Sequence, residues 1–264
     1  MFIAPVCKRF KTVYLTHVSD EKITTGESGT SSISRARLYF AHKENFNKRL
    51  ALFWWINTKY GRLGVMEWAH RHGYSHIWKK RVKKADCTFG PIICSRAAKY
   101  GQLAVLQWLR QKDSQWNQKT CRAAARGGHL SILQWARLNG CVWSHDTCTT
   151  AARGGHLSVL QWARKNGCDW NSNTCTEAAS GGHLSLLQWA RKNKCPWNSK
   201  TCTAAARHGH LSVLRWAREN RCEWNECTYE AARKCSNPDL FQYVIDQECP
   251  RFSDLAFRRY IHIQ

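Results

Sequence analysis

The stretch WSHDTCTTAARGGHLSVLQWARKNGCD, from Trp143 to Asp169, recurs along the chain with few changes. Its first tryptophan has counterparts at Trp116, Trp170, Trp197 and Trp224, and its first cysteine at Cys94, Cys121, Cys175 and Cys202. Its Gly-His-Leu triplet also recurs, at His129, His156, His183 and His210. Neighbouring copies lie 27 residues apart, as from Trp116 to Trp143. A period in this range predicts a solenoid of stacked supersecondary units.

Each unit is predicted to be helix, turn, helix. In the first half, Cys148, Ala151 and Ala152 are spaced to give one small apolar face on a short helix, which the glycines at 154 and 155 should end. The second half, from His156, carries a broad apolar stripe of leucine, valine, tryptophan and alanine. Helices this short are marginal alone in water, so their apolar faces must be covered by neighbouring units.

Side-chain size predicts the shape of the stack. The first helices present alanine and cysteine, whereas the second helices present leucine, valine and tryptophan. A thin row beside a thick row should bend the stack, and we expect the first helices to line its concave side.

The motifs resemble those of ankyrin repeats. Arg126 to Leu133 (RGGHLSIL) is similar to that family's turn and second helix, Thr-Cys-x-x-Ala-Ala to its first helix, and Trp143-Ser144 to its strand entry. The resemblance covers about residues 50–250. Two differences are cysteine in place of the helix-opening proline and 27 residues in place of about 33. The resemblance implies an all-α, ankyrin-like α-solenoid of about seven stacked helix-turn-helix repeats with shortened fingers.

The pattern divides the chain into a non-repeat segment, residues 1–45, which we expect to be partly disordered, and a repeat domain, residues 46–264. Within the domain we expect a basic insertion loop at 78–93 and a C-terminal cap at 250–264. The start of the sequence has no long apolar run of the kind found in signal peptides, and no stretch approaches the ~18 apolar residues that a membrane span needs. The expected location is intracellular, cytoplasmic or nuclear.

The net charge of +23 favours acidic partners. Arginines at 137, 164, 191 and 218 have a structural explanation, because a cation in the last turn complements the helix dipole. For the arginines of the first helices, two explanations stay open: they form a solvated face, or they contact an acidic ligand. Residues assigned to a partner-binding surface are Arg96, Lys99, Arg122, Arg126, Thr149, Thr150, Arg153, Glu177, Arg207, Tyr229 and Arg233.

A second charge feature is the basic run in the insertion, made of Lys79, Lys80, Arg81, Lys83 and Lys84 around Val82. It is similar to a short nuclear-import signal, and such a run also suits phosphate contact. The alternative is an ordinary solvated loop.

Cysteine and tryptophan are abundant, and the repeat explains both. Most of the 14 cysteines follow the repeat, and none form a C-x-x-C, so neither disulfides nor a metal site is expected. His156 belongs to the turn between helices, and Cys148 is a small buried residue. The two tryptophans of each unit are expected in the core, with base stacking as the alternative.

No catalytic motif is present, and nearly every candidate group occurs several times, so we expect neither an enzyme nor a cofactor. The resemblance implies a protein–protein interaction scaffold, with a partner, possibly acidic in chemistry, on the concave first-helix face. The first-helix positions after Thr-Cys differ between copies, which is where specificity can vary without disturbing packing. The alternative is a nuclear or nucleic-acid-associated binder that uses the basic surface and the Lys79–Lys84 loop.

Overall fold

The computed structural model of the chain describes residues 33–34, 36, 46–75 and 89–251. Fourteen helices of these residues form seven helix-turn-helix pairs, and no strand occurs among them. The first helices of the pairs are α1 (Phe46–Lys59), α3 (Phe89–Lys99), α5 (Gln118–Gly127), α7 (His145–Arg153), α9 (Ser172–Ser180), α11 (Ser199–Arg207) and α13 (Glu226–Arg233). The second helices are α2 (Leu63–Arg71), α4 (Leu103–Gln111), α6 (Leu130–Leu138), α8 (Leu157–Lys165), α10 (Leu184–Lys192), α12 (Leu211–Glu219) and α14 (Pro238–Asp246).

The first helices begin at polar caps that the repeat supplies. The side chains of Asn117, Asn171 and Asn198 each accept a hydrogen bond from the backbone N–H two residues later, at 3.0 to 3.1 Å. These bonds satisfy N–H groups that have no partner inside the helix. At the other end of α5, Gly128 adopts the left-handed conformation that closes a helix. The predicted all-α solenoid of about seven repeats is confirmed.

The two helix rows pack differently. Consecutive first helices lie against each other along their alanine and cysteine faces, and residues such as Cys148, Ala151 and Ala152 are completely buried. Consecutive second helices make few close backbone approaches to each other, because Val159 and Leu160 hold them away from the stack axis. A stack that is tight along one row and splayed along the other curves with the tight row inside. The first helices therefore line the concave side.

A histidine joins each unit to the one before it. His156 lies immediately before α8, and its Nε2 is 3.1 Å from the carbonyl oxygen of Arg126. Arg126 lies at the end of α5, the first helix of the preceding unit. A carbonyl only accepts hydrogen bonds, so Nε2 carries the hydrogen and donates the bond. The same bond joins His129 to Lys99, His183 to Arg153 and His210 to Ser180, each at 3.1 Å.

Glycine makes room for this histidine. A Cβ atom on Gly128 would lie 2.6 Å from the ring of His156, and one on Gly155 would lie 2.6 Å from the ring of His183. Gly155 also has a φ of +72°, a conformation that other residues rarely adopt. The Gly-His-Leu triplet thus provides a turn within its own unit and a contact between units.

Amide side chains replace the histidine where the repeat is degenerate. In the second pair, Gln102 donates from Nε2 to the carbonyl of Lys59 at 3.2 Å. In the last pair, Asn237 donates from Nδ2 to the carbonyl of Gly209 at 3.1 Å. These two units therefore keep a hydrogen bond to the preceding unit although they lack the histidine.

The connection between units is a short loop instead of a projecting hairpin. Between α6 and α7, Arg137 donates from Nη1 to the carbonyl of Cys141 at 2.6 Å, and its guanidinium lies 4.2 Å from the ring centre of Trp143. The thiol of Cys141 donates to the carbonyl of Asn117 at 3.5 Å. The predicted shortening of the fingers is confirmed. The last-turn arginine does more than complement the helix dipole, because it fixes the loop.

Only part of the predicted insertion loop falls on described residues. Helix α3 begins at Phe89, so residues 89–93, predicted as part of the insertion loop, are helical. The rest of the insertion, with the run Lys79–Lys84, lies outside the described residues. So do most of the N-terminal segment and all of the predicted cap beyond residue 251. In the described part of the chain, no helix has the length and apolar character needed to cross a membrane.

Two glycine variants test the contact between glycine and histidine. Both Gly155→Ala and Gly167→Ala place a methyl group on a positive-φ backbone, but only Gly155 has a histidine ring within 4 Å. Gly167→Ala should lower the free energy of unfolding by about 1 kcal/mol through the backbone conformation alone. Gly155→Ala should cost roughly 1–3 kcal/mol more, because the ring must move. Denaturant unfolding of both variants measures the difference, and equal losses would contradict the contact.

Candidate functional site

The candidate surface is the inner face, defined as the fifth, sixth and ninth residues of the first helices in the central units. Its side chains project from consecutive helices that pack tightly, so their spacing is set by the stack. The inner face comprises Arg122, Ala123 and Arg126 of α5, Thr149, Thr150 and Arg153 of α7, Thr176, Glu177 and Ser180 of α9, and Thr203, Ala204 and Arg207 of α11.

Exposure differs along this face. Arg122, Arg126, Arg153 and Arg207 are exposed, in agreement with the sequence analysis. The threonines of α7 are half-buried, and Thr150 donates from Oγ1 to the carbonyl of Asp146 at 2.7 Å.

The fifth and sixth residues of α11 are buried instead of exposed. Thr203 and Ala204 are each only 8% exposed, and the Thr203 hydroxyl lies 3.0 Å from that of Thr228 on the next first helix. The prediction that this pair of positions is exposed in every unit is therefore wrong for α11.

Ion pairs connect neighbouring units on the inner face. Arg122 lies 3.3 Å from the carboxylate of Asp146, and Arg153 lies 3.4 Å from that of Glu177. Both arginine side chains are about half exposed, so these pairs contribute roughly 0–1 kcal/mol to stability. Arg126 and Arg207 have no hydrogen-bonding or ion-pairing partner for their side chains among the described residues. The inner face thus keeps unneutralised positive charge near both ends.

Arg96 and Lys99 lie on the α3 helix at the edge of the inner face. The guanidinium of Arg96 lies 3.5 Å from the ring centre of Trp55 on α1 and donates from Nε to the Trp55 carbonyl at 2.5 Å. Lys99 is exposed, with its Nζ 5.3 Å from the ring centre of Tyr100. Arg96 is therefore anchored in the packing of α1 against α3, whereas Lys99 projects into solvent.

Tyr229 and Arg233 lie in a different register from the one predicted. Helix α13 begins after Asn225, exactly 27 residues beyond the Asn198 cap of α11, so Tyr229 is the fourth residue of its helix and Arg233 the eighth. In α11 those positions are Cys202 and Ala206, which are completely buried against the next unit.

Both residues therefore belong to the end face of the last pair, and not to the inner face. Tyr229 packs edge-on against Phe241, with ring centres 5.7 Å apart. Arg233 donates to Glu230 at 2.9 Å, and this guanidinium holds the pKa of the Glu230 carboxyl below its ordinary value.

Ten of the twelve described cysteines are buried, and those of the repeats form two columns. Those of the first helices, such as Cys121, face those of the loops, such as Cys141, and Cys121 donates to the Cys141 carbonyl at 3.8 Å. The contact with the Cys141 thiol, together with burial, raises the pKa of Cys121. Burial also raises the pKa of Cys94 to about 11. These protonated thiols serve packing, and the described residues contain no group of three or more ligating side chains arranged to hold a metal ion.

From Trp116 onward the repeated tryptophans are half-buried and pack against the core, whereas Trp108 is buried, so the prediction of core packing is only partly right. Trp143 and Trp162 meet edge to face with ring centres 5.8 Å apart, and the equivalent pairs of the neighbouring units do the same. One face of the Trp143 ring is covered by Arg137. The exposed remainder of these rings lies on the second-helix side of the stack.

The splayed second helices leave clefts on that side, which the sequence analysis assigned to packing. One cleft, of about 530 Å³, is lined by Gln107, Arg110, Gln111, Trp135 and Asn139, between α4 and α6. Another, of about 330 Å³, is lined by Gln188, Arg191, Lys192, Trp197, Trp216 and Asn220, between α10 and α12. In the sequence, the feature that could have indicated these clefts is that the exposed polar residues of the second helices are the same in successive copies.

Comparison with known proteins bears on the fold. No protein-family model matches the chain, and neither does any curated protein. Among solved structures, the chain is similar to the crystal structure of the human ASB11 ankyrin repeat domain, at 16% identity and a TM-score of 0.48, over 59% of this chain and 83% of that chain. The fold described here follows from the helices and contacts of this chain itself.

Two arginines of one unit should differ sharply in their effect on stability. Arg164 donates to the Cys168 carbonyl and stacks on Trp170, so Arg164→Ala should lower the free energy of unfolding by roughly 1.5–3 kcal/mol. Arg153 is exposed in a surface ion pair, and Arg153→Ala should cost less than about 1 kcal/mol. Denaturant unfolding compares the two variants. A larger loss for Arg153→Ala would show that the inner face is structural.

Proposed function

We propose that the chain is a non-catalytic protein-interaction scaffold whose inner face binds an acidic segment of a partner protein. The observation that carries this proposal is the variation of solvent-accessible side chains on a fixed backbone. The fifth residue of the first helix is the exposed Arg122 in one unit and the half-buried Thr149 in the next, while the alanines at the seventh and eighth positions stay buried and unchanged. Such a surface can differ in specificity along its length without loss of packing.

The charge of the inner face supports an acidic partner. Arg126 and Arg207 have no acidic neighbour within reach among the described residues, and Lys99, Lys119 and Lys200 are also exposed on the first helices. Carboxylates of a partner would fill these positions with charge-assisted hydrogen bonds, which are stronger than neutral ones.

The internal ion pairs are compatible with such binding. Arg122 pairs with the half-exposed carboxylate of Asp146, and pairs of this kind are weak, so an incoming carboxylate can replace Asp146 at small cost. Arg153 pairs with a buried oxygen of Glu177, but its side chain is 57% exposed, so a partner carboxylate could join that pair from the solvent side. The half-buried threonines between them would supply shape and hydrogen bonds to the partner.

The proposal includes an intracellular location, cytoplasmic or nuclear. Its support is that the repeat cysteines of the described residues are buried free thiols, which are typical of a reducing compartment. The run Lys79–Lys84 stays a proposed nuclear-import or phosphate-contact segment.

Matched charge reversals test the inner face. Arg126→Glu with Arg207→Glu changes two exposed residues that are each the ninth of a first helix. Lys165→Glu with Lys192→Glu is the control, because it makes the same charge change at the ninth residue of two second helices. The tagged full chain and both variants are used to capture proteins from a nuclease-treated extract near physiological salt, with quantification by mass spectrometry.

A specific partner should be captured by the unchanged chain and by the second-helix control, and should fall by about tenfold or more with the first-helix variant. Thermal unfolding of all three chains should agree closely, because the four side chains are exposed. If the captured proteins fall equally with both variants, overall charge and not the inner face governs binding.

A further inference from the structure

A second surface of the stack has a chemistry that the scaffold function leaves unused. We call it the outer face, defined as the second, fifth and tenth positions counted from the start of the second helices α6, α8 and α10. Its residues are Ser131, Gln134 and Asn139, then Ser158, Gln161 and Asn166, then Ser185, Gln188 and Asn193. The same residue type occurs at each position in three successive units.

The serines, Gln161 and Gln188 are exposed, so burial does not explain their identity. The asparagines are also exposed but have a structural role, because each amide donates at 2.8 Å to the carbonyl of the tryptophan four residues earlier. Over the same units the inner face changes from arginine at 122 to threonine at 149, and from alanine at 123 to glutamate at 177. The outer face thus presents one set of groups at a regular interval, whereas the inner face presents a different set in each unit.

The clefts between second helices combine three kinds of group. In the cleft between α10 and α12, the guanidinium of Arg191 lies 4.2 Å from the ring centre of Trp197 and donates to the Cys195 carbonyl. Trp216 forms another wall, 5.8 Å from Trp197. The amide of Asn220 is fixed at the rim by a 2.8 Å bond to the Trp216 carbonyl. Aromatic surface, oriented N–H donors and carboxamides thus meet in one cleft.

The outer side is also strongly basic in these units. Across the second helices and following loops at 130–142, 157–169 and 184–196, the charged residues are Arg137, Arg164, Lys165, Arg191, Lys192 and Lys194 against Asp169. The stacked arginines donate only one of their five N–H groups to the loop carbonyl in the contacts described. The others remain for an anion.

We infer that the outer face binds single-stranded nucleic acid, with bases taken up in the clefts between second helices. A polymer with a repeating backbone matches identical subsites at a regular interval, which a protein segment of varied sequence does not. Base faces stack on tryptophan, phosphates pair with arginine and lysine, and base edges bond to carboxamides. Reading of one base per helical repeat is an established geometry for solenoids. A duplex hides its base faces, so the single strand is preferred.

This binding is separate from the proposed inner-face function, and the test separates the two. The full chain is titrated by fluorescence anisotropy, at about 150 mM ionic strength, with a labelled oligothymidylate of about 20 nucleotides. The comparison ligands are its duplex with the complementary strand, a strand of the same length without bases, and polyglutamate. The first-helix variant Arg126→Glu with Arg207→Glu and the second-helix variant Lys165→Glu with Lys192→Glu are titrated in parallel.

The single strand should bind at least about tenfold more tightly than the duplex and the strand without bases, since one stacked base contributes roughly 1–3 kcal/mol. The second-helix variant should lose about tenfold or more in affinity, and the first-helix variant less than about threefold. Gln161→Glu with Gln188→Glu, two exposed positions in the same units, should reproduce the loss if the lysine variant unfolds.

Three results would overturn the inference. Equal affinity for the strand without bases would reduce the binding to attraction of any polyanion. Tighter binding of polyglutamate that falls with the second-helix variant and not with the first-helix variant would assign the outer face to acidic protein. Equal loss with the first-helix and second-helix variants would remove the outer face as the site. None of these results would contradict the binding of a protein partner to the inner face.

Discussion

The hydrogen bond from a histidine ring to the carbonyl at the end of the preceding first helix is the interaction on which the stack depends. It joins His129, His156 and His183 to the unit before each of them at the same 3.1 Å distance. It requires glycine on that unit, because a Cβ on Gly155 would lie 2.6 Å from the ring of His183. Each unit therefore fixes the position of the next through a polar contact at the turn, in addition to the alanine and cysteine packing of the first helices.

Two surfaces with different properties follow from this arrangement. The turn contact and the small first-helix side chains hold the inner side tight, so inner-face residues are closely and rigidly placed. The larger second-helix side chains open the outer side into clefts, and Arg191, stacked on Trp197, forms part of the wall of one of them. Variation is concentrated on the inner face and repetition on the outer face. A protein partner and a repeating polymer are the ligands that these two patterns suit.

Periodicity predicted the architecture because every unit repeats the same local rules. The spacing of Cys148, Ala151 and Ala152 predicted the buried face of α7, and the glycines predicted its end. What lies across a unit boundary was harder to predict. The bond from His156 to Arg126 and the stack of Arg137 on Trp143 join residues whose proximity depends on how units dock. The spacing of residues in the sequence does not show how units dock.

The predicted positions of some site residues were wrong because a local match of sequence was followed instead of the 27-residue spacing or the contacts between units. The segment Glu230 to Arg233 resembles the Ala-Ala-Arg end of earlier first helices, but it lies one residue out of register with them, so Tyr229 and Arg233 occupy end-face positions. The Asn225 cap lies 27 residues after Asn198 and therefore gives the correct register of α13. Burial of Thr203 depends on Thr228 of the following unit, which a single unit does not reveal.

Native-state hydrogen exchange of a His183→Ala variant tests most directly whether the units are held by this contact. Each unit of a solenoid contacts only its neighbours, so loss of the bond to Arg153 should weaken protection chiefly in α7 to α10. Amides in α5 and in α12 should keep nearly the protection of the unchanged chain. Unaltered protection in α7 to α10, or an equal loss along the whole stack, would contradict the account.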